Sequence, residues 1–106
     1  MFESLFRRGG NSIDVNELEE LLPKINLIDI REPYEYKVGH LKGAKNIPMN
    51  IIVAQSEKYL DESKEYHIIC YSGARSSKTC SILKHNGFNV INVSGGTVRY
   101  KGKLER

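Results

Sequence analysis

Three short apolar runs most constrain how this chain can fold: Asn26-Leu27-Ile28-Asp29-Ile30, Tyr66-His67-Ile68-Ile69-Cys70 and Asn89-Val90-Ile91-Asn92-Val93. Each is too short for a globular helix and is bounded by polar or glycine punctuation, the pattern of a strand buried on both faces. Between them, apolar residues recur at helical spacing. Strands that alternate with helices join by crossovers, so the expected class is α/β: three layers, a mostly parallel sheet with helices on both faces. Ligands of such sheets gather at the carboxyl ends of the strands. Cys70 occupies one of those ends.

The 106 residues leave room for one domain with one modest core. We expect an extension over 1–12, a folded body over 13–102 and a tail over 103–106. With 40% hydrophobic and 27% charged residues the composition is that of a water-soluble domain. A formal charge of +3, with Lys and Arg interspersed among Asp and Glu, gives no electrostatic case for nucleic acid and leans towards small anions. No apolar run approaches the roughly 20 residues that span a bilayer, and Met1 to Gly10 lacks the apolar stretch of a signal peptide. The expectation is a cytoplasmic protein without a membrane partner.

Two cysteines without a secretion signal are expected as free thiols. Cys80 lies six residues into a helix beginning near Ala74, roughly 9 Å along it at ~1.5 Å per residue, beyond the ~7 Å reach of a disulfide to its entrance. It shares an apolar face with Leu83 and is expected in the core.

Asp14 followed by Glu17, with Val15, Leu18, Leu21 and Leu22 at helical spacing, predicts a helix over 14–22 ending at Pro23. Glu32-Pro33 opens a helical turn through Tyr36. A brief strand is expected over 44–48 and a helix over 49–60. From Arg75, residues Ser76, Thr79, Cys80 and Leu83 share one helical face up to Gly87.

Cys70-Tyr71-Ser72-Gly73-Ala74-Arg75 thus sits between the clearest strand and a helix start. Backbone N–H groups of such a loop can curl towards one spot before the helix N-terminus, where a negatively charged sulfur is favoured. Gly73 supplies the backbone freedom for the turn, and Arg75 is expected beside Cys70 as an anion clamp. Read in isolation, Cys70 would be a buried strand-end cysteine and Arg75 a surface charge. The strand, loop, arginine and helix together favour a reactive site.

Three blocks resemble one family. Leu27 to Pro48, reading Leu-Ile-Asp-Ile-Arg-Glu-Pro-Tyr-Glu-Tyr-Lys-Val-Gly-His-Leu-Lys-Gly-Ala-Lys-Asn-Ile-Pro, is similar to the rhodanese signature. Cys70-Tyr-Ser-Gly-Ala-Arg-Ser76 resembles its active-site loop, and Gly87-Phe88 with Asn92-Val-Ser-Gly-Gly96 its closing segment. The resemblance runs from about Ile13 to Gly102. It implies a single-domain thiosulfate sulfurtransferase in which Cys70 takes the outer sulfur of a donor such as thiosulfate as a persulfide and passes it to cyanide or a thiol. Loop N–H groups of Tyr71, Ser72, Gly73, Ala74, Arg75 and Ser76 would cradle that sulfur. The partners implied are a small anionic sulfur donor and a thiol acceptor, either a small thiol or a thioredoxin-like protein. Sulfur transfer of this kind needs a thiolate and a fixed positive environment, with no metal and no organic cofactor.

The related cell-cycle phosphatases carry a loop one residue longer; here four residues separate Cys70 from Arg75. A phosphatase or arsenate reductase is therefore the disfavoured enzymatic alternative, and a non-catalytic persulfide-carrying or partner-binding module of the same fold is the other. Asp29, Arg31 and Glu35 are read as a structural ion pair pinning a loop. His40 matches a structural turn position in the family, and neither His67 nor His85 has a metal-ligand partner at usable spacing. Tyr100 stands where the family commonly shows tryptophan, a difference that bears on packing. Phe2, Leu5 and Phe6, and the basic residues Arg99, Lys101, Lys103 and Arg106, are expected to be a packed or frayed terminus and a solvated end.

Overall fold

The computed structural model describes residues 11–106; the expectation for Phe2, Leu5 and Phe6 lies outside them. Five strands, β1 (Ser12–Asp14), β2 (Asn26–Asp29), β3 (Lys45–Asn46), β4 (Glu65–Ile69) and β5 (Asn89–Ser94), form one sheet in the order β1-β5-β4-β2-β3. Every pairing is parallel, with Ile28 opposite Ile68 and Ile68 opposite Asn92 in register. The α/β expectation is met. All strand carboxyl ends therefore lie on one rim.

The period of two along each strand splits the core into two layers. On one face Ile28, Ile68, Cys70 and Val90 pack with Ile52, Cys80, Leu83 and Phe88. Those partners come from α2 (Met49–Ala54), α4 (Ala74–His85) and the turn after it. On the other face Leu27, Ile69 and Val93 pack with Val15, Leu18, Leu22 and Leu41, flanked by Tyr36 of α1 (Pro33–Val38) and by Tyr100. Tyr100 thus fills its position as packing, beyond the end of α5 (Gly96–Arg99).

Two segments differ from expectation. Instead of a helix over 14–22, two single 3-10 turns form, Val15–Glu17 and Leu22–Lys24. Asp14 belongs to β1 and caps only locally, accepting from the Asn16 amide at 2.8 Å. Asn16 is in turn held across the fold: its Nδ2 donates to the Arg99 carbonyl at 3.0 Å and its Oδ1 accepts from the Lys101 amide at 2.8 Å. Burial of Val15 and Leu18 against the sheet, with this long-range tie, overrides the local helical pattern. The helix expected over 49–60 breaks at Gln55 (φ −130°, ψ 45°) into α2 and α3 (Ser56–Tyr59). Ser56 Oγ donates back to the Ile52 carbonyl at 2.9 Å, a competing bond of the kind that interrupts helices.

The chain end is tied to the domain. His40 and Glu105 form an antiparallel bridge, with N···O distances of 2.9 and 2.8 Å. Among the described residues no helix is long and apolar enough to cross a membrane.

Candidate active site

β4 ends at Ile69, and Cys70 follows on the rim, with α4 beginning four residues later, at Ala74, behind Gly73. Gly73 has φ +107°, a left-handed conformation that side chains rarely adopt, and this turns the chain sharply back towards the sulfur. Cys70 Sγ accepts from the Gly73 amide at 3.1 Å and from the Ser76 amide at 3.3 Å. The thiol donates to Ser76 Oγ at 3.3 Å, while that hydroxyl donates to the Gly73 carbonyl at 3.2 Å. The sulfur sits at the focus of two amides and a hydroxyl at the N-terminus of a 12-residue helix, whose dipole favours negative charge at this point.

Of the expected site residues, the fold thus brings Gly73 and Ser76 to Cys70. Tyr71, Ser72 and Ala74 lie at the surface, Tyr71 half-exposed. Arg75, expected as an anion clamp, is held by a carboxylate. Its Nη1 and Nη2 donate to Glu35 Oε1 and Oε2, each at 3.1 Å, as a forked pair. The geometric match of guanidinium to carboxylate explains the preference. The hydrogen bonds from Arg75 hold the Glu35 carboxyl below its ordinary range, and those to Glu35 push the Arg75 guanidinium up.

Glu35 itself is fixed by the start of α1. Glu32 and Glu35 form a capping box, with the Glu32 amide donating to Glu35 Oε1 at 2.9 Å, and Pro33 occupies the first turn. The expected ion pair therefore resolves into two. Asp29 and Arg31 form a buried pair: the Arg31 amide donates to Asp29 Oδ1 at 3.0 Å and its Nη2 to Oδ2 at 2.8 Å. Arg31 Nη2 also donates to the Gly39 carbonyl at 2.7 Å, which fixes the turn after α1. Glu35 belongs to the second pair, with Arg75.

The other titratable groups stay outside the loop. His40 stacks on Tyr36 with ring centroids 3.7 Å apart and places Nδ1 2.8 Å from the Tyr36 carbonyl oxygen, a structural turn as expected. His67 is buried, and desolvation pulls its imidazole down from the usual value. Cys80 lies in the core, where burial pushes its thiol up to about 12. Among the described residues no group of His, Cys, Asp and Glu is arranged to hold a metal.

Gly96 is a further site residue, signalled in the sequence only by the Gly95-Gly96 pair. At φ +62° it brings α5 against the loop, where a Cβ would fall 2.2 Å from the Tyr71 carbonyl oxygen and 2.7 Å from that of Cys70. Without a side chain there, Thr97 and Val98 can donate their amides to those carbonyls, each at 3.0 Å.

A parallel α/β domain with a thiol cradled between a strand and a helix N-terminus defines a class of cysteine-loop proteins. The profile of the rhodanese-like domain matches residues 14–103, and the chain belongs to that family. It is 40% identical over 82 residues to the Bacillus subtilis protein named "Putative sulfurtransferase YtwF", covering 77% of this chain and 79% of that one. It is 37% identical over 99 residues to the tRNA uridine(34) hydroxylase of Buchnera aphidicola, covering 86% of this chain but only 32% of the hydroxylase. Among solved structures, SSP1007 from Staphylococcus saprophyticus superposes with a TM-score of 0.81 at 36% identity, covering 91% of this chain and 99% of that one.

Proposed function

We propose that this protein is a sulfurtransferase that carries sulfane sulfur on Cys70, taking it from a donor such as thiosulfate and giving it to cyanide or a thiol, either a small thiol or a thioredoxin-like protein. The observation that carries this reading is the convergence of the Gly73 and Ser76 amides on Cys70 Sγ at 3.1 and 3.3 Å. Two preorganised donors aimed at one sulfur stabilise the thiolate before attack and the charged persulfide after it, without reorganisation during the reaction.

With thiosulfate, the Cys70 thiolate forms a bond to the sulfane sulfur as the S–S bond of the donor breaks, and sulfite leaves with the electron pair. The product is the Cys70 persulfide anion. An acceptor thiolate or cyanide then attacks the outer sulfur, forming its own bond to it, and the Cys70 thiolate leaves. Ser76 Oγ accepts from the thiol in the resting state; once the proton has gone, rotation of the same hydroxyl makes it a donor to sulfur. The test is the intact mass of the protein after incubation with thiosulfate. One added sulfur, removed by reductant and absent in Cys70→Ser, is the expected result; no addition, or addition that survives in Cys70→Ser, overturns the proposal.

A further inference from the structure

Three arginines stand near the rim that carries the sulfur, and two of them are engaged. Arg75 is forked onto Glu35, and Arg31 is closed in its buried pair with Asp29. Each of these guanidinium groups is matched by a carboxylate, so each pair presents little net charge to an approaching anion. Arg99 differs. It is exposed and, among the described residues, forms no salt bridge.

The place of Arg99 is fixed from two sides. α5 starts against the thiol loop, where the amides of Thr97 and Val98 donate to the Cys70 and Tyr71 carbonyls at 3.0 Å each, and it ends at Arg99. Its four residues make one turn, ~5.4 Å along the axis, so Arg99 starts about one turn from the segment that carries Cys70. From the other side Asn16 Nδ2 holds the Arg99 carbonyl at 3.0 Å. The side chain leans back towards the start of the helix, as helical side chains do: a Cβ on Gly95 would meet Arg99 Cδ at 3.3 Å and Arg99 Cβ at 3.4 Å. Gly95 in turn abuts Gly73, where a Cβ would meet the Gly95 nitrogen at 3.3 Å. Gly73 is the residue whose amide donates to Cys70 Sγ. An unpaired cation is thus carried on a stem that only Gly95 separates from the cradle of the sulfur.

We infer that Arg99 is the specificity-determining residue that draws an anionic sulfur donor to Cys70, in place of Arg75, whose charge Glu35 matches. This rests on the Cys70 reading above. The guanidinium acts through its field: it raises the local concentration of the anion at the loop and leaves the sulfur chemistry to the Gly73 and Ser76 amides. Such an effect doubles in energy from a monoanion to a dianion and is absent for a neutral reagent. It fades with salt, as the Debye length falls from ~30 Å at about 0.01 M to ~3 Å at about 1 M.

Two readouts on the full chain test this at about 0.01 M ionic strength, where the field is least screened. Thiosulfate loading is followed by intact mass. Alkylation of Cys70 by iodoacetate and by iodoacetamide, a monoanion and a neutral reagent of nearly the same size, is followed by peptide mass, and the ratio of the two rates cancels the reactivity of the thiolate. A unit charge on the order of 10 Å away in water corresponds to about twofold for a monoanion and about fourfold for a dianion. Arg99→Gln is therefore expected to lower the iodoacetate-to-iodoacetamide ratio about twofold and the loading rate at dilute thiosulfate about fourfold, both effects vanishing at about 1 M salt. Arg99→Lys keeps the charge and stays near the parent. Lys64→Gln removes an equal charge in the turn before β4, at the opposite end of the sheet, and moves neither value.

Unchanged values in Arg99→Gln, when thermal unfolding shows it folded, overturn the inference, as do equal falls in Arg99→Gln and Lys64→Gln or a fall that Arg99→Lys shares. If Arg99→Gln does not fold, Arg99→Met, with an unbranched stem over Gly95, takes its place; a parent whose ratio does not fall as salt rises overturns the inference without any variant. Loading of the parent by thiosulfate with none of these shifts sinks the inference and leaves the Cys70 reading standing; no loading sinks both.

Discussion

The amide of Thr97 donates to the carbonyl of Cys70 at 3.0 Å, so the residue proposed as nucleophile is held from behind by the segment that follows β5. That contact exists because Gly96, between the strand and Thr97, has no side chain. Gly96→Ala would place a methyl group inside the Cys70–Tyr71 backbone and at a φ that side chains rarely adopt. We expect a loss of about 3 kcal/mol or more in unfolding free energy from overpacking and strain together. Sulfur loading should fall as well. Urea unfolding and loading by mass check both; a variant as stable as the parent would remove the role given to this glycine.

Asp29→Ala leaves Arg31 buried with its charge uncompensated. Breaking one side of a buried pair typically costs about 3 to 5 kcal/mol, and both residues here are almost fully buried. Neither side chain of the pair hydrogen-bonds to Cys70, Gly73 or Ser76, so the loss should appear in denaturant unfolding before it appears in turnover by the protein that remains folded. A change below about 1 kcal/mol would show that the pair is not the pin described.

Cys80 gives the stability of the fold a pH dependence in the alkaline range. Burial pushes the Cys80 thiol from 9.0 to about 12, so the folded state keeps a proton that the unfolded chain releases from about pH 9 upwards. Its contribution to stability is fully present below pH 9 and is lost as pH rises towards 12, by at most about 4 kcal/mol at ~1.36 kcal/mol per unit. Unfolding free energies measured across that window should fall less steeply in Cys80→Ala than in the parent. Sulfur loading of Cys80→Ser at neutral pH should stay close to that of the parent. Equal slopes would contradict the burial effect, and lost loading in a folded Cys80→Ser would contradict a single-cysteine mechanism.

Loop length is open to a direct test. One glycine inserted between Gly73 and Ala74 separates the two amides that now converge on Sγ, because one precedes the insertion and the other follows it. Misplaced donors of this kind cost roughly 10²-fold in rate. Thiosulfate:cyanide turnover should fall by about that factor while thermal unfolding stays near that of the parent, since the strands lie outside the loop. Unchanged turnover would restore the related phosphatase chemistry, which uses a loop one residue longer, as a serious competitor.

The sheet was legible wherever burial on both faces leaves an apolar run, as at β2, β4 and β5. β1 was not, because Ser12–Asp14 is short and mostly exposed and owes its form to pairing with β5. Gly73 and Ser76 could be read as loop members from the strand-to-helix transition alone. The partner of Arg75 could not: Glu35 is 40 residues earlier, and only folding sets the two carboxylate oxygens opposite the guanidinium. The same nonlocality undid the helix over 14–22, where Asn16 answers to Arg99 and Lys101 rather than to its own turn.

Because every strand runs the same way, the domain has a working end and a handling end. Cys70, Gly73, Glu35 and Gly96 all belong to segments that leave the carboxyl ends of the strands. The turn at Asp61–Lys64 leads into the opposite end of β4 and carries its own small hydrogen-bonded knot, with Ser63 amide and hydroxyl on Asp61 Oδ1 at 2.8 and 2.7 Å. A dye, a bead or a surface linked at Lys64 would therefore face away from the sulfur. Anchored there, the molecule would present its thiol loop outward to whatever approaches.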